Sequence, residues 1–419
     1  MKRHSAFVLI IFLLLSFTAT ACLRADDHQR ISGIMHIQST VSDGQFTIDE
    51  IVRKARDKGI AAVFITDHDM KRWSYGFLPL RNIFKNTVEE GSILSFGAKR
   101  YLELIERARE KYPDMVIIPG AECACFYYWD GSFIRKNMKL RAWHRHMLAV
   151  GLERPVSYEN LPLISNGKSG YDQYHGDKWY KPYQELIDYV NDEGGMTFWA
   201  HPEAANSVKI GGILIHTLPY EKLLLDTEGY TGYGIFHEGY GKVGLPGGLW
   251  DAILTGYCEG RRKEPVWAIG ETDYEGKRSE SIDHVKNVFL VTEKSRSAVL
   301  DALKNGRFYV VVPSRECELI LDDFSLREIS GSGKAAMGAT ISGADKVALS
   351  VSVSSDKDTG KPARIMLVKD GEIYKIYNER LPFTVELEEA APQSGRTAYY
   401  RIDASCQGSR LISNPIFWE

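Results

Sequence analysis

Apolar residues recur along the chain in short continuous runs, and stretches with helical periodicity separate several of them. Such runs are typical of strands that are buried on both faces in a parallel sheet, because both faces then need apolar side chains. We predict seven strands, a number that favours a closed or nearly closed β/α barrel. The predicted strands are residues 31–35, 61–65, 115–122, 146–152, 196–203, 232–236 and 265–273.

Spacing and capping residues predict the helices. Thr47 and Glu50 form a capping box, in which the threonine side chain accepts from the backbone N–H of Glu50 and the glutamate reaches back to the cap. Apolar residues at 48, 51, 52 and 55 follow at helical spacing, and Gly59 ends the helix. Further helices are predicted over residues 98–111, 183–191 and 297–304.

The pattern changes from about residue 285 onward. After Phe308, apolar and polar residues alternate in short runs, and Asp370-Gly371 between two such runs predicts a hairpin. We therefore predict an α/β fold with a barrel over residues 31–312 and a small antiparallel, β-sandwich-like domain over residues 313–419. The last histidine is His284, so we expect the C-terminal domain to have an accessory role.

The N-terminus has the features of a targeting signal. Lys2 and Arg3 precede an apolar run over residues 6–17, which is too short to span a bilayer as a mature helix. The small residues that lead into Cys22 resemble a bacterial lipobox, which implies cleavage before Cys22 and its lipidation. We expect a signal peptide over residues 1–21, a linker over 22–30 and a lipid-anchored protein of the cell envelope or periplasm. A plain secretory signal is the alternative, and it also implies export.

Charge and cysteine content argue against two other classes of protein. The formal net charge is −3, and removal of Lys2 and Arg3 with the signal gives −3 − 2 = −5. A mildly acidic chain is not expected to bind nucleic acid. Beyond Cys22 five cysteines remain, an odd number without zinc-cassette spacing. A disulfide framework is therefore not expected, although an oxidising compartment would allow a bond between Cys317 and Cys406.

Three long stretches without clear periodicity, residues 69–97, 125–145 and 157–182, interrupt the predicted barrel and are candidate lids or binding loops. Cations cluster within the second, and aromatic residues cluster around the end of the third. The cations form either a solvated face or a site for an anionic substrate. The aromatic residues form either a small core or a stacking surface for a sugar-like or aromatic group. The candidate substrate-binding residues are Lys71, Arg72, Arg135 and Arg141.

Imidazoles, carboxylates and one amide lie at the ends of the apolar runs. Since each is expected after a barrel strand, they should meet at one mouth, where they offer the donors that zinc, manganese or iron uses. Each has a plainer explanation taken singly, such as a turn for His201 or a core histidine for His146. The candidate residues are His36, Gln38, Asp43, Asp67, His68, Glu122, His146, His201, Asp273 and Glu275.

Six ordered motifs resemble those of the PHP metallohydrolases, and more closely the CehA/McbA-like branch that carries a C-terminal β-domain. The resemblance runs from about residue 31 to residue 312, and the ending SNPIFWE is also similar to that branch. It implies a distorted (β/α)7 PHP-type barrel with one to three divalent metal ions at the strand ends. The motifs are HIQSTVSDG (36–44), TDH (66–68), PGAE (119–122), HML (146–148), AHP (200–202) and TDYE (272–275).

The resemblance also implies three sets of metal ligands. The sets are Glu122, His146 and His201; His36, Gln38, Glu122 and Asp273; and Asp43, His68 and Glu275. Gln38 and Glu275 stand where the family has histidine. Because a neutral amide is a weak ligand and a carboxylate a strong one, we expect the first site to be the most secure, the second to be weakened and the third to be retained with harder character.

The implied chemistry is metal-assisted hydrolysis, with Glu122, Asp67 and His68 as the candidate catalytic residues. Glu122 would bridge metal ions, and Asp67 would orient a ligand imidazole. We expect a phosphoesterase that acts on an anionic small molecule or a glycan-like substrate. The alternatives are hydrolysis of carboxylic or carbamate esters, which the family also includes, and a non-catalytic ligand-binding lipoprotein with a degenerate metal site.

Overall fold

The structure is a computed structural model that describes residues 28–419 except residues 78, 82, 133, 237, 278, 280, 358, 359, 393 and 394. The predicted signal peptide, most of the predicted linker and the lipidation of Cys22 lie outside the described residues. No helix in the described part of the chain has the length and apolar character needed to cross a membrane.

Strands make up most of the regular structure. In chain order they are β1 (Gln29–Ile37), β2 (Ala62–Ile65), β3 (Arg72–Gly76), β4 (Lys85–Glu89), β5 (Val116–Cys123), β6 (Tyr128–Asp130), β7 (Lys139–Arg141), β8 (Met147–Val150), β9 (Met196–Trp199), β10 (Asn206–Ile210), β11 (Ile213–Thr217), β12 (Gly232–Phe236), β13 (Trp267–Gly270), β14 (Lys286–Val291), β15 (Phe308–Val312), β16 (Leu319–Glu328), β17 (Lys334–Ala336), β18 (Thr340–Ile341), β19 (Lys346–Ser355), β20 (Pro362–Lys369), β21 (Glu372–Arg380), β22 (Phe383–Ala390), β23 (Ala398–Cys406), β24 (Ser409–Ser413) and β25 (Ile416–Trp418).

The structure contains the helices that the spacing of apolar residues predicted. They are α1 (Ile48–Asp57), α2 (Ile93–Phe96), α3 (Ala98–Lys111), α4 (Pro155–Glu159), α5 (Lys181–Asp192), α6 (Leu223–Asp226), α7 (Leu249–Cys258) and α8 (Arg296–Lys304), with a π-helical segment at Tyr240–Gly244. The capping box of Thr47 and Glu50 is formed at the start of α1. The apolar face of α1 is buried at Ile51, Val52 and Ala55, as the 3.6-residue period requires.

Seven strands form a curled sheet in the order β13-β12-β9-β8-β5-β2-β1. They are the seven strands predicted from the apolar runs, and they confirm the α/β class. Just beyond β1 and β13, Tyr274 joins the two ends of the sheet: its N–H donates to the carbonyl of His36 (3.0 Å), and its carbonyl accepts from the N–H of Gln38 (3.0 Å). The stretches that carry His36 and Asp273 are therefore neighbours at one mouth.

The prediction that all the barrel strands are parallel is wrong for β8. This strand runs antiparallel to both of its neighbours, β5 and β9. A parallel pair needs a crossover connection, usually a helix, whereas residues 124–146 form the short strands β6 and β7 and return to the mouth. His146 accordingly precedes its strand rather than following it, and the inversion is what brings it to the same mouth as the other candidates.

Strands β14, β15 and β24 continue the sheet of the barrel beyond β1. β14 pairs antiparallel with β1, β15 pairs with β14, and β24 pairs with β15. A separate sheet in the order β17-β16-β19-β22 shares a second apolar core with these strands. The predicted hairpin at Asp370-Gly371 is formed by β20 and β21. Cys317 and Cys406 are buried in this second core with free thiols.

The long stretches predicted to be irregular are partly regular. Strands β3 and β4 form a hairpin, and β10, β11, β7 and β6 form a small sheet. Of the aromatic residues around the third stretch, Tyr183 is buried in the main core, while Trp179 is 41% exposed. These insertions enclose a small core of their own, formed by Trp73, Ala124, Tyr127, Trp129, Met138, Leu140, Trp143 and Ile215.

Candidate metal centre

Glu122 lies at the centre of the predicted site, near the carboxyl end of β5, and is 1% exposed. Its N–H donates to the carbonyl of Asp67 (3.0 Å), and its own carbonyl accepts from the N–H of Asp69 (3.0 Å). These two bonds extend the pairing of β2 with β5 by one step and hold residues 68 and 122 side by side. The TDH and PGAE motifs are thus joined through the backbone.

Four imidazoles surround the carboxylate of Glu122. Its Oε2 atom lies 3.1 Å from Nε2 of His36 and 3.4 Å from Nδ1 of His68. Its Oε1 atom lies 3.5 Å from Nε2 of His201 and also contacts Nδ1 of His146. All four rings are nearly buried. The sequence predicted convergence of these five side chains, and the structure brings them together.

The donor atoms fall into two groups, each within 4.8 Å of one another, and both groups include Glu122. One contains His36 and His201, and the other contains His68 and His146. The resemblance instead implied a set that combines His146 with His201, the two rings next to Oε1 of Glu122. In both arrangements, Glu122 is the shared ligand.

Buried ring nitrogens without hydrogen-bond partners show whether these residues fit a metal ion. Nε2 of His36, Nδ1 of His68 and Nδ1 of His146 are buried and make no well-directed hydrogen bond, despite their short distances to Glu122. Buried polar atoms without partners are costly in a folded protein. A divalent cation between imidazole nitrogens and a carboxylate would satisfy them. The residues therefore fit zinc, manganese or iron.

Burial and charge act against each other in this cluster. Burial alone would raise the pKa of Glu122, but the imidazoles of His68, His146 and His36 lower it well below its usual value. Burial lowers the pKa of His68 to about 4. For His201, burial is outweighed by Glu122 and Glu271, which raise its pKa to about 8. A low pKa favours the neutral imidazole, the form in which His68 can act as a metal ligand.

Three candidates have left-handed backbone conformations, with φ of 67° at His36, 30° at His201 and 45° at Asp273. Positive φ is uncommon for residues with a side chain and often accompanies a functional site. At His36 it coincides with a shift in the pairing of β1 with β2 between Ile34 and Ile37. Such an irregularity re-aims a side chain, and here it turns the His36 ring toward Glu122.

Two residues that the sequence reasoning missed hold the rings in place. Oε2 of Glu271 lies 3.2 Å from Nδ1 of His36, and its Oε1 accepts from the backbone N–H of His201. The hydroxyl of Tyr220 lies 3.0 Å from Nδ1 of His201. Gly234 makes room for Glu271, because a Cβ at that glycine would meet the carboxylate at 2.2 Å. The sequence did offer one signal for Glu271, because this acidic residue directly precedes the TDYE motif.

Asp67 stabilises a backbone turn and does not orient an imidazole ring. Its carboxylate accepts from the backbone N–H groups of Ser39 (2.7 Å) and Ser42 (3.1 Å) and from both hydroxyls (2.8 and 2.7 Å). Burial raises its pKa to about 6, while these bonds act in the opposite direction. This differs from the prediction that Asp67 orients a ligand imidazole, the role that Glu271 has in the structure. The same turn requires Gly44, where a Cβ would meet the carbonyl of Gln38 at 2.1 Å.

The remaining predicted ligands lie around this centre. Gln38 donates from its amide to Oε2 of Glu122, which leaves its own oxygen without a partner. Asp273 Oδ1 lies 3.5 Å from Nε2 of His36. Asp43 Oδ1 lies 3.8 Å from Nε2 of His68. Glu275 pairs with Lys277 at 2.7 Å.

The predicted substrate-binding arginines have other neighbours. Arg141 pairs with Asp130 (3.2 Å), and Arg72 lies 3.9 Å from Glu89. Arg135 is exposed. The structure gives no contact between these three residues and the imidazole cluster, so their role in binding stays a prediction.

Residues 35–198 match the family model of the PHP domain. The match contains the motifs of His36, His68, Glu122 and His146 and ends before His201. It supports the predicted class of enzyme, a hydrolase. No curated protein matches the sequence.

Three solved structures show similarity to the chain. A two-domain protein from Bacteroides vulgatus, described as containing a PHP-like metal-dependent phosphoesterase, is 14% identical, with coverage of 90% of this chain and 91% of that protein and a TM-score of 0.40. A protein from Bifidobacterium adolescentis that is described as a metal-dependent phosphoesterase is 16% identical, with coverage of 58% of this chain and 88% of that protein and a TM-score of 0.29. An amidohydrolase from Chromobacterium violaceum is 12% identical, with coverage of 58% and 87% and a TM-score of 0.30.

Proposed function

We propose that this protein hydrolyses phosphoesters, and that divalent metal ions held around Glu122 are required. The observation that carries the proposal is the convergence of four nearly buried imidazoles on this one carboxylate. A structural role alone does not account for buried ring nitrogens without hydrogen-bond partners, because such atoms cost stability unless something binds them.

His36 and His201 would hold one ion, His68 and His146 would hold another, and Glu122 would be shared. Imidazole with carboxylate suits zinc, manganese or iron. Bound there, these ions supply a water of lowered pKa and positive charge that stabilises developing oxyanions.

The other residues of the centre position these donors and leave one side open. Glu271 is an acceptor for the Nδ1–H of His36 and so directs Nε2 of that ring toward Glu122. Tyr220 has the same role for His201. Asp273 has 27% of its side chain exposed, so a substrate can approach from its side. Preorganised donors of this kind avoid the cost of reorienting polar groups during the reaction.

The substrate part of the proposal is an anionic small molecule or a glycan-like molecule, with Arg72, Arg135 and Arg141 as candidate contacts. We further propose that the protein belongs to the CehA/McbA-like branch and that lipid at Cys22 anchors it in the bacterial cell envelope. The motifs and the N-terminal sequence support these points.

A substrate panel tests the reaction. The purified protein, loaded with manganese, zinc or iron, is assayed with a phosphomonoester, a phosphodiester and a carboxylic ester. We expect metal-dependent turnover of a phosphoester, and its loss in His201→Ala but not in His175→Ala, which changes an exposed histidine paired with Asp172. Turnover of the carboxylic ester alone would favour the alternative chemistry. No bound metal and no turnover would leave a non-catalytic binding protein.

A further inference from the structure

Asp43, implied as a ligand of a third metal ion, is in contact with lysine. Nζ of Lys71 lies 3.0 Å from its Oδ2 atom, and Nζ of Lys277 lies 3.7 Å from the same oxygen. Lys277 also pairs with Glu275 at 2.7 Å. The two carboxylates of the implied third site are therefore both paired with ammonium groups. Among the described residues, neither belongs to the two groups of donors around Glu122.

The pairing of Lys71 with Asp43 is partly shielded from water. Less than a fifth of either side chain is exposed, and Lys71 is also 2.8 Å from Glu90. The ammonium of Lys71 is thus held between the carboxylates of Asp43 and Glu90, and Asp43 is the less exposed of the two.

A third metal ion would have to displace this arrangement. It would leave the Lys71 ammonium without one of its two carboxylates. It would also place a doubly charged cation beside the ammonium groups of Lys71 and Lys277. Like charges at this distance disfavour one another. His68, the remaining implied ligand, directs Nδ1 toward Glu122 and has Nε2 3.8 Å from Oδ1 of Asp43. The ammonium groups of Lys71 and Lys277 therefore disfavour a third metal ion at this position.

We propose that Lys71, together with Lys277, takes the place of a third metal ion at Asp43 and binds an anionic oxygen of the substrate. This inference rests on the proposed function and deepens it. An ammonium group has three donors, and two of those on Lys71 are directed to Asp43 and Glu90. One donor remains for a phosphoryl or carboxylate oxygen, which lysine binds as a point charge.

Metal content separates this inference from the proposed function. Four proteins are loaded with manganese and freed of excess metal, and the manganese that remains bound is measured by elemental mass spectrometry. They are the wild type, Asp43→Asn, Glu122→Gln and Asp49→Asn. Asp49 is a matched control, because it forms an exposed pair with Lys111 at 2.6 Å. We expect Asp43→Asn and Asp49→Asn to retain the wild-type content and Glu122→Gln to lose metal.

Loss of one equivalent in Asp43→Asn alone would show that Asp43 is a metal ligand and would overturn the inference while leaving the proposed function intact. A wild-type protein that binds no metal would overturn the proposed function itself.

Substrate affinity tests the role of the lysine. Since a hydrogen bond to a charged group is worth about 1.5–3 kcal/mol, Lys71→Met should raise KM for a phosphomonoester by roughly 10-fold or more at unchanged metal content. Lys71→Arg should recover much of the loss because it retains the positive charge. Lys111→Met, which breaks the control pair, should leave KM unchanged. An unchanged KM in Lys71→Met would overturn the proposal, and a similar loss in Lys71→Arg would also contradict it.

Discussion

His36 and Glu271 form a fully buried contact, with Nδ1 of the ring 3.2 Å from Oε2 of the carboxylate. Because an ionised carboxylate only accepts hydrogen bonds, Glu271 holds a proton on Nδ1 of the ring. Nε2, which lies 3.1 Å from Oε2 of Glu122, is then the nitrogen that is left for a metal ion. The contact thus sets both the orientation of the ring and the atom that it offers to a metal.

Replacing Glu271 should weaken metal binding without removing a ligand. Partners that orient ligand imidazoles typically contribute 10- to 100-fold to metal affinity, and we expect a loss of about that size in Glu271→Gln. Competition with a fluorescent chelator measures it. Glu259→Gln, which alters an exposed ion pair with Arg261, is the control. Equal affinity in Glu271→Gln and the wild type would show that the contact has no role in binding.

Tyr220 should act in the same way on His201. Its hydroxyl donates to the carbonyl of Ala200 (2.6 Å) and therefore accepts from Nδ1 of His201. We expect Tyr220→Phe to lower metal affinity by about 10-fold. Tyr230→Phe is matched to it, since that hydroxyl is also buried but donates to the carbonyl of Leu224. If the two variants bound metal equally well, the role assigned to Tyr220 would be wrong.

Asp67 should affect stability through the turn that carries Ser39 and Ser42. An asparagine in its place has one accepting oxygen instead of two, so hydrogen bonds to a buried charged group are lost. We expect Asp67→Asn to lower the free energy of unfolding by about 2 kcal/mol or more. Urea denaturation measures it, with Asp114→Asn, which breaks an exposed pair with Arg56, as the control. A loss of less than about 0.5 kcal/mol, the usual range for a surface change, would contradict this role.

Arg401, in β23, and Asp251, in helix α7, form a buried ion pair. The guanidinium is fully buried and donates two hydrogen bonds to the carboxylate, at 2.8 and 2.6 Å. Removal of one member leaves an unpaired buried charge, so Arg401→Met should cost about 3–5 kcal/mol. Arg261→Met, in an exposed pair, should cost less than about 1 kcal/mol. Similar unfolding curves for the two variants would contradict the argument.

The barrel strands and the centre were predictable because both have local sequence signals. Continuous apolar runs identify strands that are buried on both faces, and the histidines and acids lie at the ends of those runs. The capping box at Thr47 and the Asp370-Gly371 turn likewise depend on neighbours in sequence, and both are formed.

The features that the sequence did not predict depend on distant contacts. The direction of β8 is set by residues 124–146, which return to the mouth instead of crossing the sheet. Glu271 contacts His36, which is 235 positions away in the sequence, and Tyr220 contacts His201, which is 19 positions away. The pairing of Lys71 with Asp43 likewise connects two separate loops. No periodicity or spacing indicates such contacts.

The most direct test of the central claim, that Glu122 holds the metal ions needed for hydrolysis, is phosphoester turnover in the wild type and in Glu122→Gln. Both proteins are assayed before chelation, after chelation and after manganese is restored. We predict that chelation abolishes wild-type turnover, that manganese restores it, and that Glu122→Gln is inactive throughout. Turnover that persists after chelation, or in metal-loaded Glu122→Gln at the wild-type rate, would contradict the claim.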